Sequence, residues 1–303
     1  MYKQTPYSCQ ATGAGQRFYD LIRTGMPAGD SSCGGPGFRV HSVFRRVVNF
    51  SWQDGYLSLV CPGVGNDSSF LVVDLPENVG FLTLGMEPGM PVTLAHGSLL
   101  VSDAVAVNCL QLQLWQGRAS GDLLWSGKNV SWQNLLALRE AICRWGVQGG
   151  LGDTVCRPDH PMAARINSLA KALADPGEDG CRPELIDLEG AVKGIVGYGP
   201  GLTPSGDDLL LGVLAAAGTG VDYQPRRGEL HRAITNNLRR TNELSAFFLR
   251  RAMAGDYHEY VQELVYAVAR ELPGNVTAAA RTLLGMGATS GTDIATGIYL
   301  GFS

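Results

Sequence analysis

Long apolar runs are missing from this chain of 303 residues. The longest, Leu209 to Ala217, is about half of what a bilayer-crossing helix requires and is interrupted by Gly212. It reads as a buried helix, and no membrane association is expected. Blocks of like charge are also missing. The 24 Lys and Arg against 28 Asp and Glu leave a net charge of -4, scattered along the chain, with no basic footprint for nucleic acid or an anionic membrane surface. Met1-Tyr-Lys-Gln-Thr-Pro-Tyr-Ser has no basic segment followed by an apolar run, so no secretory signal is read there and a cytoplasmic location is expected. Metal-ligand spacing is absent as well. Among the seven cysteines (Cys9, Cys33, Cys61, Cys109, Cys143, Cys156, Cys181) no pair is separated by only two residues, which signals neither a zinc ribbon nor a redox dithiol; free thiols are expected. The five histidines include no pair at i, i+4, so no metal and no other cofactor is expected, and His231 and His258 read as solvated helix residues.

What is present is enough apolar sequence, 45% of residues, for one large domain or two ordinary ones. The first part reads as strands. Val40 to Trp52 is rich in Val and Phe, Tyr56 to Val60 and Phe70 to Val73 are short apolar runs, and Pro91 to Val107 and Leu110 to Trp115 continue the pattern. Asp54-Gly55, Gly65-Asn-Asp67 and Glu87-Pro-Gly89 punctuate it. From Ser131 the period becomes helical, with Leu135, Leu138, Ile142 and Trp145 following a Ser131 cap. Later helices are read over 161–174, 183–196, 205–217, 228–253, 257–271, 276–284 and 290 onward, with a polar loop over 175–182. Strands followed by helices predict an α+β chain: a β-rich, sandwich or barrel-like part over 1–128 and an α-helical part over 129–303.

One motif repeats inside the helical part. Gly197-Tyr-Gly-Pro-Gly-Leu-Thr-Pro-Ser-Gly-Asp-Asp-Leu-Leu-Leu-Gly212 is answered by Gly285-Met-Gly-Ala-Thr-Ser-Gly-Thr-Asp-Ile-Ala-Thr-Gly297. With Pro204 as an insertion, Thr203 matches Thr289, Ser205 matches Ser290, Gly206 matches Gly291, Asp208 matches Asp293 and Gly212 matches Gly297. Ser-Gly-Asp-Asp and Ser-Gly-Thr-Asp both have the form of a capping box, and the acidic residues suit the positive end of a helix. Capping alone demands neither the glycines at 197, 199 and 201 nor a doubled aspartate. Glycines there would leave amides bare for an anion, as helix starts do for phosphate or carboxylate. Asp207 and Asp208 would also suit a hard cation, although two adjacent carboxylates are a weak signal. Gly212 and Gly297 would let the two helices approach closely.

A further polar cluster runs from Thr235 to Ser245. Asn237, Thr241 and Ser245 fall at i, i+4, i+8, on one face of an uninterrupted helix. Arg239 and Arg240 beside them suit a carboxylate or phosphate.

Gly199-Pro-Gly-Leu-Thr-Pro-Ser-Gly-Asp-Asp208, Thr241-Asn-Glu-Leu-Ser245 and Gly287-Ala-Thr-Ser-Gly-Thr-Asp293 together resemble the AllH family, and Ser42-Val-Phe-Arg-Arg-Val-Val-Asn-Phe resembles that family's first strand. The resemblance implies a subunit of oxamate carbamoyltransferase in anaerobic allantoin degradation, a purine catabolic route. Such a subunit works with FdrA-like and AllG-like partners and interconverts oxalurate and phosphate with oxamate and carbamoyl phosphate. Thr292 departs from the family pattern, which has a large aromatic residue there. The Ser-Thr-Arg-Thr loop and His-Pro-x-Gln segment of ordinary carbamoyltransferases are both missing, since His160-Pro-Met-Ala lacks the glutamine. Any carbamoyl transfer here therefore uses a different scaffold.

On this reading Asp207, Asp208 and Asp293 are the candidate catalytic residues. Gly201, Thr203, Ser205, Gly206, Thr289, Ser290, Gly291, Asn237, Arg240, Thr241 and Ser245 are candidates for binding a small anionic substrate: oxamate, oxalurate, carbamoyl phosphate or phosphate. Two alternatives stay open: a non-catalytic structural subunit of an FdrA-type assembly, and a metal-dependent hydrolase or phosphotransferase using the three aspartates.

Overall fold

Extended, β-branched segments dominate the first third of the chain, where alternation of side chains between two faces buries Val48, Phe50, Leu57, Leu59, Leu71, Val73, Leu99, Val101, Val105 and Val107. The computed structural model describes residues 5–24, 38–53, 55–95, 97–118, 130–157, 159–173, 187–218 and 224–303. They divide into two compact units, Met1–Gly117 and Arg118–Ser303. The boundary read from the sequence at 128/129 and the loop over 175–182 lie outside the described residues.

The first unit is a mixed sheet of nine strands: β1 (Tyr7–Gly15), β2 (Arg39–Val43), β3 (Val47–Trp52), β4 (Gly55–Val60), β5 (Phe70–Asp74), β6 (Val92–Ala95), β7 (Ser98–Val101), β8 (Val105–Asn108) and β9 (Gln113–Trp115). Their order is β2-β3-β4-β5-β1-β8-β7-β6, with β9 on β1 beyond β8. The two ends of this path nearly meet. An Arg39–Pro91 bridge, with Val40 N donating to Met90 O at 2.9 Å and Val92 N to Phe38 O at 2.8 Å, makes the sheet an almost closed barrel and covers its edges.

Three details differ from the sequence reading. The segment Val40 to Trp52 is a hairpin, β2 and β3, turning at Phe44 to Arg46. Of Leu110 to Trp115 only the last three residues form a strand, and Leu110 lies exposed. The central strand β1, in which Ser, Thr, Ala and Gly predominate, and the helix α1 (Gln16–Thr24) after it carry too weak a pattern to be read; α1 still buries Phe18 and Leu21 at i, i+3.

The second unit is helical: α2 (Trp132–Trp145), the single turn α3 (Asp153–Cys156), α4 (Ala163–Leu173), α5 (Leu188–Lys193), α6 (Ser205–Ala217), α7 (Gln224–Asn237), α8 (Glu243–Met253), α9 (Glu259–Arg270), α10 (Pro273–Leu284) and α11 (Ser290–Phe302). Ser131 caps α2 as expected, accepting from Gln133 N. His258 is no bystander on a helix surface: its Nδ1 accepts from Tyr260 N and caps α9. Where one helix was read over 228–253, the structure breaks it with a 3₁₀ turn at Leu238–Arg240 and restarts at Asn242, whose side chain accepts from Ser245 N. Asn is a strong cap, and here it outweighs helical continuity.

The core of this unit is the pair α6 and α11. Both are buried nearly all round, a pattern that marks a central helix. They cross at glycine. A Cβ on Gly212 would collide with the carbonyl of Ile294, and one on Gly297 with the carbonyl of Leu209, so the two backbones touch where only hydrogen fits. A disulfide, Cys143–Cys156, ties α2 to α3, which overturns the expectation that all cysteines are free. Two cysteines thirteen residues apart give no spacing cue. Cys9, Cys61 and Cys109 are free thiols, and burial pushes Cys9 and Cys109 up to about 11, which makes them poor nucleophiles. No helix among the described residues is long and apolar enough to cross a membrane.

Candidate active site

The local repeat generates the site. Because α6 and α11 cross at Gly212 and Gly297, about two turns from their N-termini, their first turns are drawn together although Ser205 and Ser290 are 85 residues apart in sequence. The hydroxyls then serve the opposite helix. Ser290 of α11, with Thr203, hydrogen-bonds the carboxyl of Asp208 on α6; Ser205 of α6, with Thr289, hydrogen-bonds the carboxyl of Asp293 on α11. Thr203 Oγ1 and Ser290 Oγ are 3.0 Å apart. The arrangement is a pseudo-two-fold exchange of Ser–Asp pairs.

The capping-box reading is therefore corrected. Ser205 and Ser290 are the first residues of their helices; the caps are Pro204 and Thr289, neither of which makes a side-chain cap bond. Of the three loop glycines expected to leave amides bare, Gly197 donates its N–H to Asp207, and the amides of the first helical turns are engaged as well. Gly206 N donates to Tyr198 O and Gly291 N to Met286 O, while Asp207, Asp208 and Asp293 donate to Pro204 or Thr289 carbonyls. An anion approaching these first turns meets side-chain hydroxyls and carboxyls rather than those amides.

The repeat also extends further back than its sequence alignment. A Cβ on Gly206 would strike Ile195 O and one on Gly291 would strike Leu283 O; Gly199 and Gly287, both with positive φ, pack against Ser205 and Ser290. These equivalences pair Ile195 with Leu283 and Gly199 with Gly287. Before the first helix the loop holds three extra residues, where the sequence alignment allowed one.

The carboxyls differ in environment. Asp207 is saturated: Oδ1 accepts from Gly197 N at 2.8 Å, and Oδ2 accepts from Thr241 Oγ1 and from Ser245 Oγ at 2.7 Å. It fastens the glycine loop and the start of α8 to α6, with both carboxylate oxygens engaged. Its counterpart in the repeat is Thr292, whose Oγ1 accepts from Val147 N at 2.9 Å. The methyl of Thr292 lies so close to Gly146 and Gly152 that a large aromatic side chain has no room there. Asp293 is fully buried, and its Oδ1 accepts from Leu151 N at 2.5 Å and Gly152 N at 3.3 Å. Its other oxygen has no hydrogen-bond partner, and neither has Oδ2 of Asp208.

Desolvation by burial raises the Asp208 carboxyl well above the ordinary carboxylate range, Ser290 opposes this, and the nearby charges of Asp293 and Asp207 raise it further. Asp293 is raised too, by burial, against the hydrogen bonds from Ser205 and Leu151. Two buried carboxyls, each with an oxygen that has no hydrogen-bond partner, both favour their protonated forms.

Among the other expected residues, Thr241 and Ser245 meet at Asp207, but Asn237 does not join them: with the helix broken, its amide donates back to Ala233 O. Gly201 is exposed on the loop ahead of α6, and Arg240 is exposed and lines a separate cleft. The amide clamp at Leu151 and Gly152 was not foreseen, although Gly149-Gly-Leu-Gly152 is a visible glycine cluster. Among the described residues no group of three His, Cys, Asp or Glu side chains is placed to hold a metal ion.

No solved structure matches the chain. Two family models do: the AllH family N-terminal domain over residues 10–117, and the oxamate carbamoyltransferase subunit AllH over residues 195–302. The second begins at Ile195, where the duplicated unit begins, and contains both Ser–Asp pairs. By these two matches the chain belongs to the AllH family.

Proposed function

We propose that this chain is the subunit of an oxamate carbamoyltransferase in which Asp208, backed by Asp293, manages the proton of the reaction, within a cytoplasmic assembly that includes FdrA-like and AllG-like subunits and serves allantoin degradation. The reaction splits the C–N bond of oxalurate with phosphate. A phosphate oxygen bonds to the ureido carbon, oxamate leaves as an amide nitrogen, and that nitrogen must gain a proton because an amide anion is a very poor leaving group. A carboxyl whose burial favours its protonated form is suited to supply it, and it recovers a proton from the attacking phosphate. In the reverse direction the same group removes a proton from oxamate.

The observation that carries this reading is the crossed pair itself: Asp208 and Asp293 each keep a buried oxygen without a partner, while hydroxyls of the opposite helix hold the other side of the carboxyl. Thr203, Thr289 and Ser290 are only half-buried and form the approach to it. A purely structural subunit is favoured by one fact, the enclosure of Asp293 beneath the Leu151 and Gly152 amides. The metal-dependent alternative loses Asp207, which is fully engaged by Gly197, Thr241 and Ser245. The deciding experiment is oxalurate phosphorolysis by this chain alone, by the two partners alone and by the reconstituted assembly. Carbamoyl phosphate should form at speed only in the assembly; equal rates from the partners alone would remove this chain from the chemistry.

A further inference from the structure

A second feature lies outside the aspartate pair. The loop that carries Gly197 and Tyr198 into α6 forms one wall of a cleft of about 470 Å³, whose other walls come from α4, α5 and the turn before α8. Its lining includes three cations, Arg165, Lys193 and Arg240, and no carboxylate. Two carboxylates stand on α5 and its cap: Asp187 accepts from Glu189 N at 3.0 Å, with its Oδ2 beside Gly190, and Glu189 accepts from Asn236 Nδ2 at 3.2 Å. Arg165 spends one N–H on Gly194 O at 2.9 Å, which orients the guanidinium and leaves its other donors available. Among the described residues no ion pair neutralises Arg165, Lys193 or Arg240. Gly194 and Gly197 in the lining place no side chain in the space between them.

Three cations gathered round one cleft repel each other, and a compact anion offsets this with charge-assisted hydrogen bonds. We infer that this cleft is a phosphate subsite, in which Arg165 and Arg240 grip the oxygens of a phosphoryl dianion and Lys193 adds a point charge. Gly197 joins it to the site described above, since the same residue lines the cleft and donates its N–H to Asp207. The assignment of phosphate as reactant rests on the proposed carbamoyl transfer; the binding of phosphate does not.

The test is a titration of the full chain with inorganic phosphate, followed by calorimetry and 31P line broadening, with oxamate as a carboxylate control. Lys193→Gln and Arg240→Gln are exposed changes that leave the Arg165–Gly194 bond in place. Phosphate should bind the native chain more tightly than oxamate, and each variant should weaken it by about tenfold, the value of one charge-assisted contact, with an unchanged circular dichroism spectrum. Binding that neither substitution weakens, or no phosphate binding at all, overturns the subsite whatever the turnover of the assembly. Phosphate binding lost in the variants, beside turnover that ignores Asp208, keeps the subsite and sinks the proton-transfer role instead.

Discussion

Asp207 and Asp208 are neighbours with opposite physics, and substitution separates them. Asp207 takes three donors, so Asp207→Ala strands Gly197 N, Thr241 Oγ1 and Ser245 Oγ in a buried site. The expected loss is about 3 kcal/mol, read as a lower melting temperature; an unchanged melt contradicts the fastening role. Asp208 instead carries the cost of burial. Its folded pKa lies above the unfolded value, so the native state binds more protons than the unfolded chain and stability falls as pH rises above about 4. Asp208→Asn still accepts from Ser290 and Thr203 but cannot ionise. It should melt at or above the native temperature at pH 8, and this advantage should shrink as the pH falls. A variant that melts lower at pH 8 than at pH 5, relative to native, would contradict the raised pKa.

At the scale of elements, the two helix starts were legible in the sequence because Ser-Gly-x-Asp followed by an apolar run is local information, and because Gly212 and Gly297 sit at equivalent places in both copies. What the serines bind was not legible. A serine ahead of a carboxylate reads as a cap of its own helix, and the exchange between α6 and α11 is a long-range contact. The break of 228–253 was present in the sequence as Asn242-Glu-Leu-Ser245 and was outweighed by the continuing apolar pattern. The crossing itself is testable. Gly297→Ala places a methyl on the Leu209 carbonyl, and the overpacking should cost about 3 kcal/mol and separate the Ser–Asp pairs; a fully stable, active Gly297→Ala contradicts the packing described here. The Cys143–Cys156 disulfide encloses the segment that carries Val147, Leu151 and Gly152 to Thr292 and Asp293. By chain entropy a closed loop of this size contributes about 3 kcal/mol. Reduction, or Cys156→Ser, should lower the melting temperature of the helical unit, and an identical melt with and without reductant would show that the bridge adds nothing.

Across the whole molecule, each family match falls in one unit, 10–117 in the barrel-like unit and 195–302 in the helical unit. The order of strands then helices was readable from the change in hydrophobic period near Ser131. The near closure of the sheet was not, because the Arg39–Pro91 bridge joins strands distant in sequence and β1 has little apolar signal. Residues 118–194 belong to neither match, yet they supply the amide clamp on Asp293 and two of the three cations of the cleft. The crossed Ser–Asp pair is proposed to act in chemistry as well as in folding. The most direct measurement is oxalurate phosphorolysis by the reconstituted assembly carrying Asp208→Asn, with melting temperature taken on the same preparation. The expected result is a rate lower by about a hundredfold or more, the size of a lost general acid, in a protein that melts no lower than native at pH 8. Native turnover from that intact variant would contradict it.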